Sequence, residues 1–330
     1  MTSESLLRLD SLSVVDRRHG QDRTLVRSVS LDIAAAESVG LVGESGSGKS
    51  LTIKAAMQLL PRGLRAGGTV TFEDTDVLSM RGRELARYRS REVGLIHQDP
   101  RAHINPTRTI GQFLTEGVVH TGLMREDDAL ARCCELMRDV GITDAERRLA
   151  QYPHQLSGGL LQRVMIVSVL LPEPRMIFAD EPTTALDVTV QSDVMAIMME
   201  QIQDRRVAML FVTHDLDLAA AVTDRLAVMY AGSIVESGGS GDVDAHPLHP
   251  YTAGLLQCRP TTTKVHRLTA IPGRPVPAYE VKQGCAFAPR CAFATERCQT
   301  EAPDLREVGG RLVACHRAEE LADRLHERAS

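Results

Sequence analysis

Gly43-Glu44-Ser45-Gly46-Ser47-Gly48-Lys49-Ser50 has the order glycine, four residues, glycine, lysine, serine, which is the spacing of a phosphate-binding loop. Glycines at 43, 46 and 48 let the backbone turn its N–H groups inward, and Lys49 reaches the terminal phosphates. The hydroxyl of Ser50 is placed to ligate Mg²⁺, and the nucleotide cradle is expected to run from Gly43 through Leu51. Downstream, Asp180 and Glu181 close an apolar run. Asp180 suits a metal holder, and Glu181 suits a general base that polarises water in line with the γ-phosphate. Gln98 and His214 are polar residues at the ends of two further apolar runs. Ser157-Gly158-Gly159 precedes an apolar helix, so Ser157 can cap it and the glycines let a phosphate approach its end. Taken singly, each has a plainer reading: a turn, a solvated acidic strand end, a strand-end histidine, a cap.

The elements that must position these groups read as an alternating α/β chain. Leu6–Val15 and Leu25–Ile33 are predicted strands of an antiparallel layer, Ser38–Val42 is the buried strand that enters the loop, and Leu51–Leu60 the helix that leaves it. Thr69–Phe72 is a short strand introduced by Gly67-Gly68, Arg81–Arg89 an exposed basic helix, and Val93–Gln98 another buried strand. From Pro100 to Ala150 the spacing turns helical, as in Ile110–Val119 and Asp127–Val140, an insertion in an otherwise α/β chain. Strands at 175–180, 207–213, 226–230 and 233–236 then alternate with helices at 188–203 and 216–222. Such alternation implies a mainly parallel sheet with ligands at the carboxyl ends of its strands, where Gln98, Asp180, Glu181 and His214 all fall.

With 330 residues, 43% apolar and 25% charged, the composition is that of an ordinary globular protein. No run is long enough to cross a bilayer and the start lacks the layout of a signal peptide, so a cytosolic chain is expected. A net charge of −5 and only 3% aromatics argue against a nucleic-acid partner. Seven cysteines in a cytosolic chain should be reduced rather than paired.

The ordered set Gly43–Ser50, Gln98, Leu156–Gly159, Ile177–Glu181, Ala185-Leu186-Asp187 and His214 closely resembles the ATP-binding subunit of ABC transporters. The resemblance covers about residues 6–236 and implies a P-loop NTPase fold: a mainly parallel sheet core, an antiparallel β layer, and a helical subdomain at about 100–170. It further implies that two such domains close head to tail on two ATP molecules. Ser157, Gly158 and Gly159 of one would then contact the γ-phosphate bound by the other, with Asp187 at the dimer seam. The same resemblance has Gln98 couple metal and water to the helical subdomain, adding it to Ser50 and Asp180 around Mg²⁺, and His214 contact the γ-phosphate. One departure stands out. The family's adenine-stacking aromatic is missing from Val14-Val15-Asp16-Arg17-Arg18-His19, where an arginine could lie over the base instead.

Residues 1–240 are expected to form this ATP-binding domain and 241–330 a C-terminal extension. The extension has a short helix opening at His246–Tyr251, a Pro/Thr/Gly-rich connector from Pro260 to Gly284, and a polar helix at Ala318–Glu327. Its thiols are spaced Cys285-x5-Cys291-x6-Cys298-x16-Cys315, which fits neither the short hooks of zinc sites nor ferredoxin runs. Cys133, Cys134 and Cys258 read as helix packing positions. His249–Leu256, Gly284-Cys285 and Pro289-Arg290-Cys291 resemble the C-terminal extension of the oligopeptide/dipeptide/nickel branch of ABC importers. That resemblance implies a [4Fe–4S] cluster on the four cysteines, with zinc as the alternative and unliganded core cysteines as the third reading. It also implies a peripheral ATPase on the cytoplasmic face of the membrane. Its partners would be two transmembrane permease subunits, a second homologous ATP-binding subunit and an extracytoplasmic substrate-binding protein. Di- or oligopeptides are the expected cargo, nickel or another small solute the alternative, and a non-transport ABC ATPase the rival from another class.

Overall fold

A computed structural model describes residues 5–18, 22–184, 187–258 and 270–329. They fall into two compact units. One comprises Ala34–Glu37 and Ser79–Leu210; the other comprises Ser5–Ile33, Ser38–Leu78 and Phe211 onward, and so holds both the phosphate loop and the C-terminal extension.

In the loop-bearing unit, Ser38–Val42 is buried at every residue and runs parallel to Arg225–Tyr230. Ser233–Gly239 returns antiparallel to that strand and meets Arg23–Ala34 in parallel at Ser28. Ser5–Asp16 pairs antiparallel with Leu64–Phe72. The predicted Thr69–Phe72 strand therefore begins five residues earlier, because backbone pairing carries it through Gly67-Gly68. Ser5–Asp16 breaks register between Asp10 and Ser13, and Gly68, at φ +81°, lies so close beneath that kink that a Cβ would meet the Ser11 carbonyl at 2.4 Å. The helix after the loop is shorter than the spacing predicts: it spans Lys49–Ala56, and the chain turns away through Gln58 at φ +52°.

In the other unit, Val93–Ile96 and Met176–Asp180 pair in parallel. Gly94 is bare where Val169 of helix Gly158–Leu170 approaches; a Cβ there would lie 2.3 Å from the valine's Cγ1. The predicted helical insertion is present as helices Pro100–His103, Ile110–His120, Glu126–Asp139 and Ala145–Leu149. The basic helix predicted at Arg81–Arg89 stops at Arg87, and a wider turn at Tyr88–Glu92 buries the Tyr88 ring.

The extension joins its unit through backbone. Arg311–Val313 adds an antiparallel strand to Ser233–Gly239, with Glu236 opposite Val313, and Arg306–Val308 turns back on it across Gly309-Gly310. Helix Ala318–Ala329, predicted as polar, buries Leu321 and Leu325 against Ala253 and Phe293. The first part of the predicted connector, through residue 269, lies outside the described residues. Among the described residues no helix is long and apolar enough to cross a membrane.

Candidate active site

The phosphate loop sits where the buried strand Ser38–Val42 ends and helix Lys49–Ala56 begins, as its motif requires. Gly46 has φ +81° and open space where a Cβ would point, so its glycine is required by the turn and not by crowding. Gly43 is different: a Cβ would lie 2.1 Å from the Met229 carbonyl, so strand Arg225–Tyr230 backs the loop directly. Lys49 Nζ donates to the carbonyls of Gly43 at 2.7 Å and Glu44 at 3.2 Å, which draws the ammonium over the loop. Ser47 is buried, and its hydroxyl finds no hydrogen-bond partner among the described residues. The Ser50 side chain is partly exposed on the first turn of the helix.

In the other unit, two of the strand-end residues, Gln98 and Glu181, meet. Gln98 donates from Nε2 to Glu181 Oε2 at 3.3 Å, and Thr184 Oγ1 donates to the same oxygen at 3.0 Å. Thr184 carries no signal of its own in the sequence. Glu181 also takes a left-handed backbone, φ +47°, in which non-glycine residues are strained, a common feature of functional positions. Asp180 closes its strand half-buried. Ser157 caps helix Gly158–Leu170 by accepting the Leu160 N–H at 3.3 Å. Gly159 lies so close to helix Val188–Asp204 that a Cβ would meet Val190 Cγ1 at 2.5 Å. Asp187, predicted at a dimer seam, is exposed and caps that helix through the Val190 N–H at 3.1 Å. Ala185 and Leu186 lie outside the described residues. His214 belongs to the loop-bearing unit and is exposed immediately after strand Ala208–Thr213, and Asp215 caps the helix that follows.

At the end of the first strand, Arg18 is held by Asp16 through a two-point contact at 2.9 and 2.7 Å, and Arg17 pairs with Asp22 at 3.5 Å. His19 lies outside the described residues. An aromatic from the extension approaches the start of the next strand: Arg23 lies over the Tyr279 ring, 5.5 Å from its centre.

The four extension cysteines line one apolar pocket together with Phe287 and Phe293. Burial pushes the thiols of Cys285, Cys291 and Cys315 up, Cys315 to about 11, and their mutual repulsion adds to the effect. Donors already face the sulfurs: the Phe293 N–H lies 3.4 Å from Cys291 Sγ and the Arg317 N–H 3.4 Å from Cys315 Sγ. No three His, Cys, Asp or Glu side chains among the described residues are arranged to hold a single metal ion. Of the cysteines read as packing positions, Cys133 is fully buried and pushed up to about 12 by that burial, whereas Cys134 and Cys258 are only half-buried.

The ABC transporter family matches residues 26–184, and the oligopeptide/dipeptide transporter C-terminal region matches residues 235–298. The oligopeptide transport ATP-binding protein OppD of Escherichia coli is 39% identical, covering 97% of this chain and 95% of its own length. Bacillus subtilis AppD, another oligopeptide transport ATP-binding protein, is 39% identical over 96% of this chain and 98% of its own. Among solved structures, an ATP-binding cassette dimer in a post-hydrolysis state with ADP and phosphate superposes with a TM-score of 0.62 at 24% identity, covering 71% of this chain and 98% of that one. Clostridium perfringens CbiO1, part of an ABC transporter complex, gives 0.63 at 23%, covering 73% and 91%. At these identities the superpositions speak for the fold; the sequence relatives, matched nearly end to end, establish that the chain belongs to the ATP-binding proteins of ABC transporters that carry the oligopeptide/dipeptide C-terminal region.

Proposed function

We propose that this chain is the ATP-hydrolysing subunit of an ABC importer that powers uptake of di- and oligopeptides. The observation that carries the reading is the union, in one chain, of an intact phosphate loop and strand-end base with the oligopeptide/dipeptide C-terminal region. The loop N–H groups and Lys49 bind the phosphates, while Ser50, Gln98 and Asp180 are hard oxygen donors of the kind Mg²⁺ takes. The metal's chemistry, when bound, is neutralisation of charge on the β- and γ-oxygens. Glu181, oriented by Gln98 and Thr184, accepts a proton from the attacking water, and His214 contacts the γ-phosphate. One chain carries one loop, so Ser157, Gly158 and Gly159 complete the site of a second ATP-binding subunit, with Asp187 at the seam between them. Closure on ATP and reopening after hydrolysis drive two membrane permease subunits fed by an extracytoplasmic binding protein. This seats the chain peripherally on the cytoplasmic face of the membrane. Uptake of labelled di- and oligopeptides by cells with and without this chain tests the reading; uptake that differs only for nickel would replace the peptide cargo with the metal.

The same extension would hold a [4Fe–4S] cluster on Cys285, Cys291, Cys298 and Cys315. Support comes from four thiols around one apolar pocket, with backbone donors facing two of the sulfurs, an environment that suits thiolate clusters. Those four thiolates would hold the cluster, which would supply a cross-link between the segments that carry them. Anaerobically purified protein is expected to be brown and to contain iron and acid-labile sulfide; a colourless protein with stoichiometric zinc would decide for the zinc alternative.

A further inference from the structure

Glu44, the second residue of the phosphate loop, is tied to the C-terminal extension at two points. Its carboxylate receives both ends of the Arg290 guanidinium, Nη1 to Oε2 at 2.6 Å and Nη2 to Oε1 at 3.0 Å. Its backbone N–H donates to the Tyr251 hydroxyl at 2.8 Å. Its carbonyl accepts from Lys49, so this one residue links the extension to the lysine that must meet the phosphates.

Neither partner is an incidental surface contact. The Arg290 side chain is 3% exposed, Nε donates to the Pro272 carbonyl at 2.8 Å, and the guanidinium lies against the rings of Tyr230 and Phe287 at 5.8 and 5.9 Å. Tyr251 is fully buried, with its ring 4.6 Å from Tyr230 and 5.4 Å from Phe287. A carboxylate beside a loop built to hold a polyphosphate is electrostatically unfavourable, and a buried bidentate arginine offsets that charge.

We propose that Arg290 and Tyr251 are positioning residues of the ATP site, neutralising and anchoring Glu44 so that the phosphate loop binds nucleotide only while the extension is folded against it. This goes beyond the transport reading and rests on it only in taking the loop as the ATP site. Arg290 directly precedes Cys291 and Phe287 lines the cysteine pocket, so the fold around the four thiols also sets the geometry of the clamp.

The test is the affinity of the full-length chain for a fluorescent ATP analogue with Mg²⁺, measured for wild type, Arg290→Met, Glu44→Gln, the double variant and Tyr251→Phe. Arg290→Met is expected to weaken binding roughly tenfold or more, because it leaves an uncompensated carboxylate beside the phosphates. The double variant is expected to recover most of that loss, which a purely structural role for Arg290 would not produce. Tyr251→Phe, which keeps the ring, is expected to weaken binding severalfold. Arg290→Met within twofold of wild type, or a double variant as weak as Arg290→Met, overturns the proposal. Should Arg290→Met fail to fold, Arg290→Lys alone and with Glu44→Gln carries the same comparison, a point charge replacing the fork. A wild-type chain that binds no nucleotide would overturn the ATPase reading itself, and the clamp with it.

Discussion

Glu181 shows how much chemistry a single residue can hold. Its carboxylate is fixed by Gln98 and Thr184 on one oxygen, and its backbone sits in the left-handed region at φ +47°. Removing the charge while keeping the hydrogen bonds isolates the proton-accepting role proposed for it. Glu181→Gln in the assembled transporter is expected to cut ATP turnover by about 100-fold or more while ATP binding persists; steady-state phosphate release and equilibrium nucleotide binding measure the two. Turnover unchanged in the complex would refute the base assignment. The residue type and strand-end position of Glu181 were legible in the sequence, because an apolar run ending on two acids, in a chain that carries a phosphate loop upstream, is read as a metal holder and base rather than as a solvated strand end. Its backbone conformation and Thr184 were not, since neither is encoded by a local pattern.

At the scale of elements, strand Ser233–Gly239 is joined to the chain that follows it by buried polar groups. Glu236, on strand Ser233–Gly239, accepts the N–H groups of Leu248 and His249 at 2.8 and 2.9 Å and pairs with Arg311 at 3.4 Å, while burial pushes its carboxyl up. His249 then caps helix Pro250–Gln257, its Nδ1 accepting the Tyr251 N–H at 3.0 Å, which aims the Tyr251 ring. Complete burial lowers His249 to about 3. Between its ordinary value near 6.5 and that value the unfolded chain takes up a proton that the folded chain refuses. Stability conferred by this residue is therefore complete above about pH 6.5 and falls on acidification, by about 1.4 kcal/mol per pH unit. Asn at 249 can cap the helix without titrating. His249→Asn is thus expected to flatten the acid limb of a denaturant-derived stability profile by about one proton between pH 6 and 4. Equal slopes would show that the histidine is not held neutral. The helix expected to open within His246–Tyr251 is found at Pro250–Gln257, but no sequence signal distinguishes a buried capping histidine from a surface one.

At the scale of the whole molecule, Ser157 and the two glycines sit at the start of helix Gly158–Leu170 in one compact unit, and the loop they resemble a partner for lies in the other. In the proposed head-to-tail pairing of two such chains, bulk at this helix end acts on assembly of the paired sites and leaves the loop's own chemistry in place. Ser157→Arg is expected to lower turnover of the reconstituted transporter roughly tenfold or more while the isolated chain still binds ATP, with a modest stability cost of about 1 kcal/mol from the lost cap. Turnover at the wild-type level would exclude a role across the dimer.

The sequence alone determined the loop, the acids at the strand ends, the alternation of strands and helices and the helical insertion. These are local matters: a glycine spacing, a lysine after it, and apolar periods that turns interrupt. It misjudged where elements stop, as at Ala56, and where they start, as with the strand that begins at Leu64, because pairing partners and packing decide ends. Only the tertiary structure decided that Arg290, 246 residues from Glu44, meets it, and that Tyr251 fixes the same residue's backbone. Long-range pairing of buried charges depends on which surfaces the fold presses together, and no spacing along the chain records that.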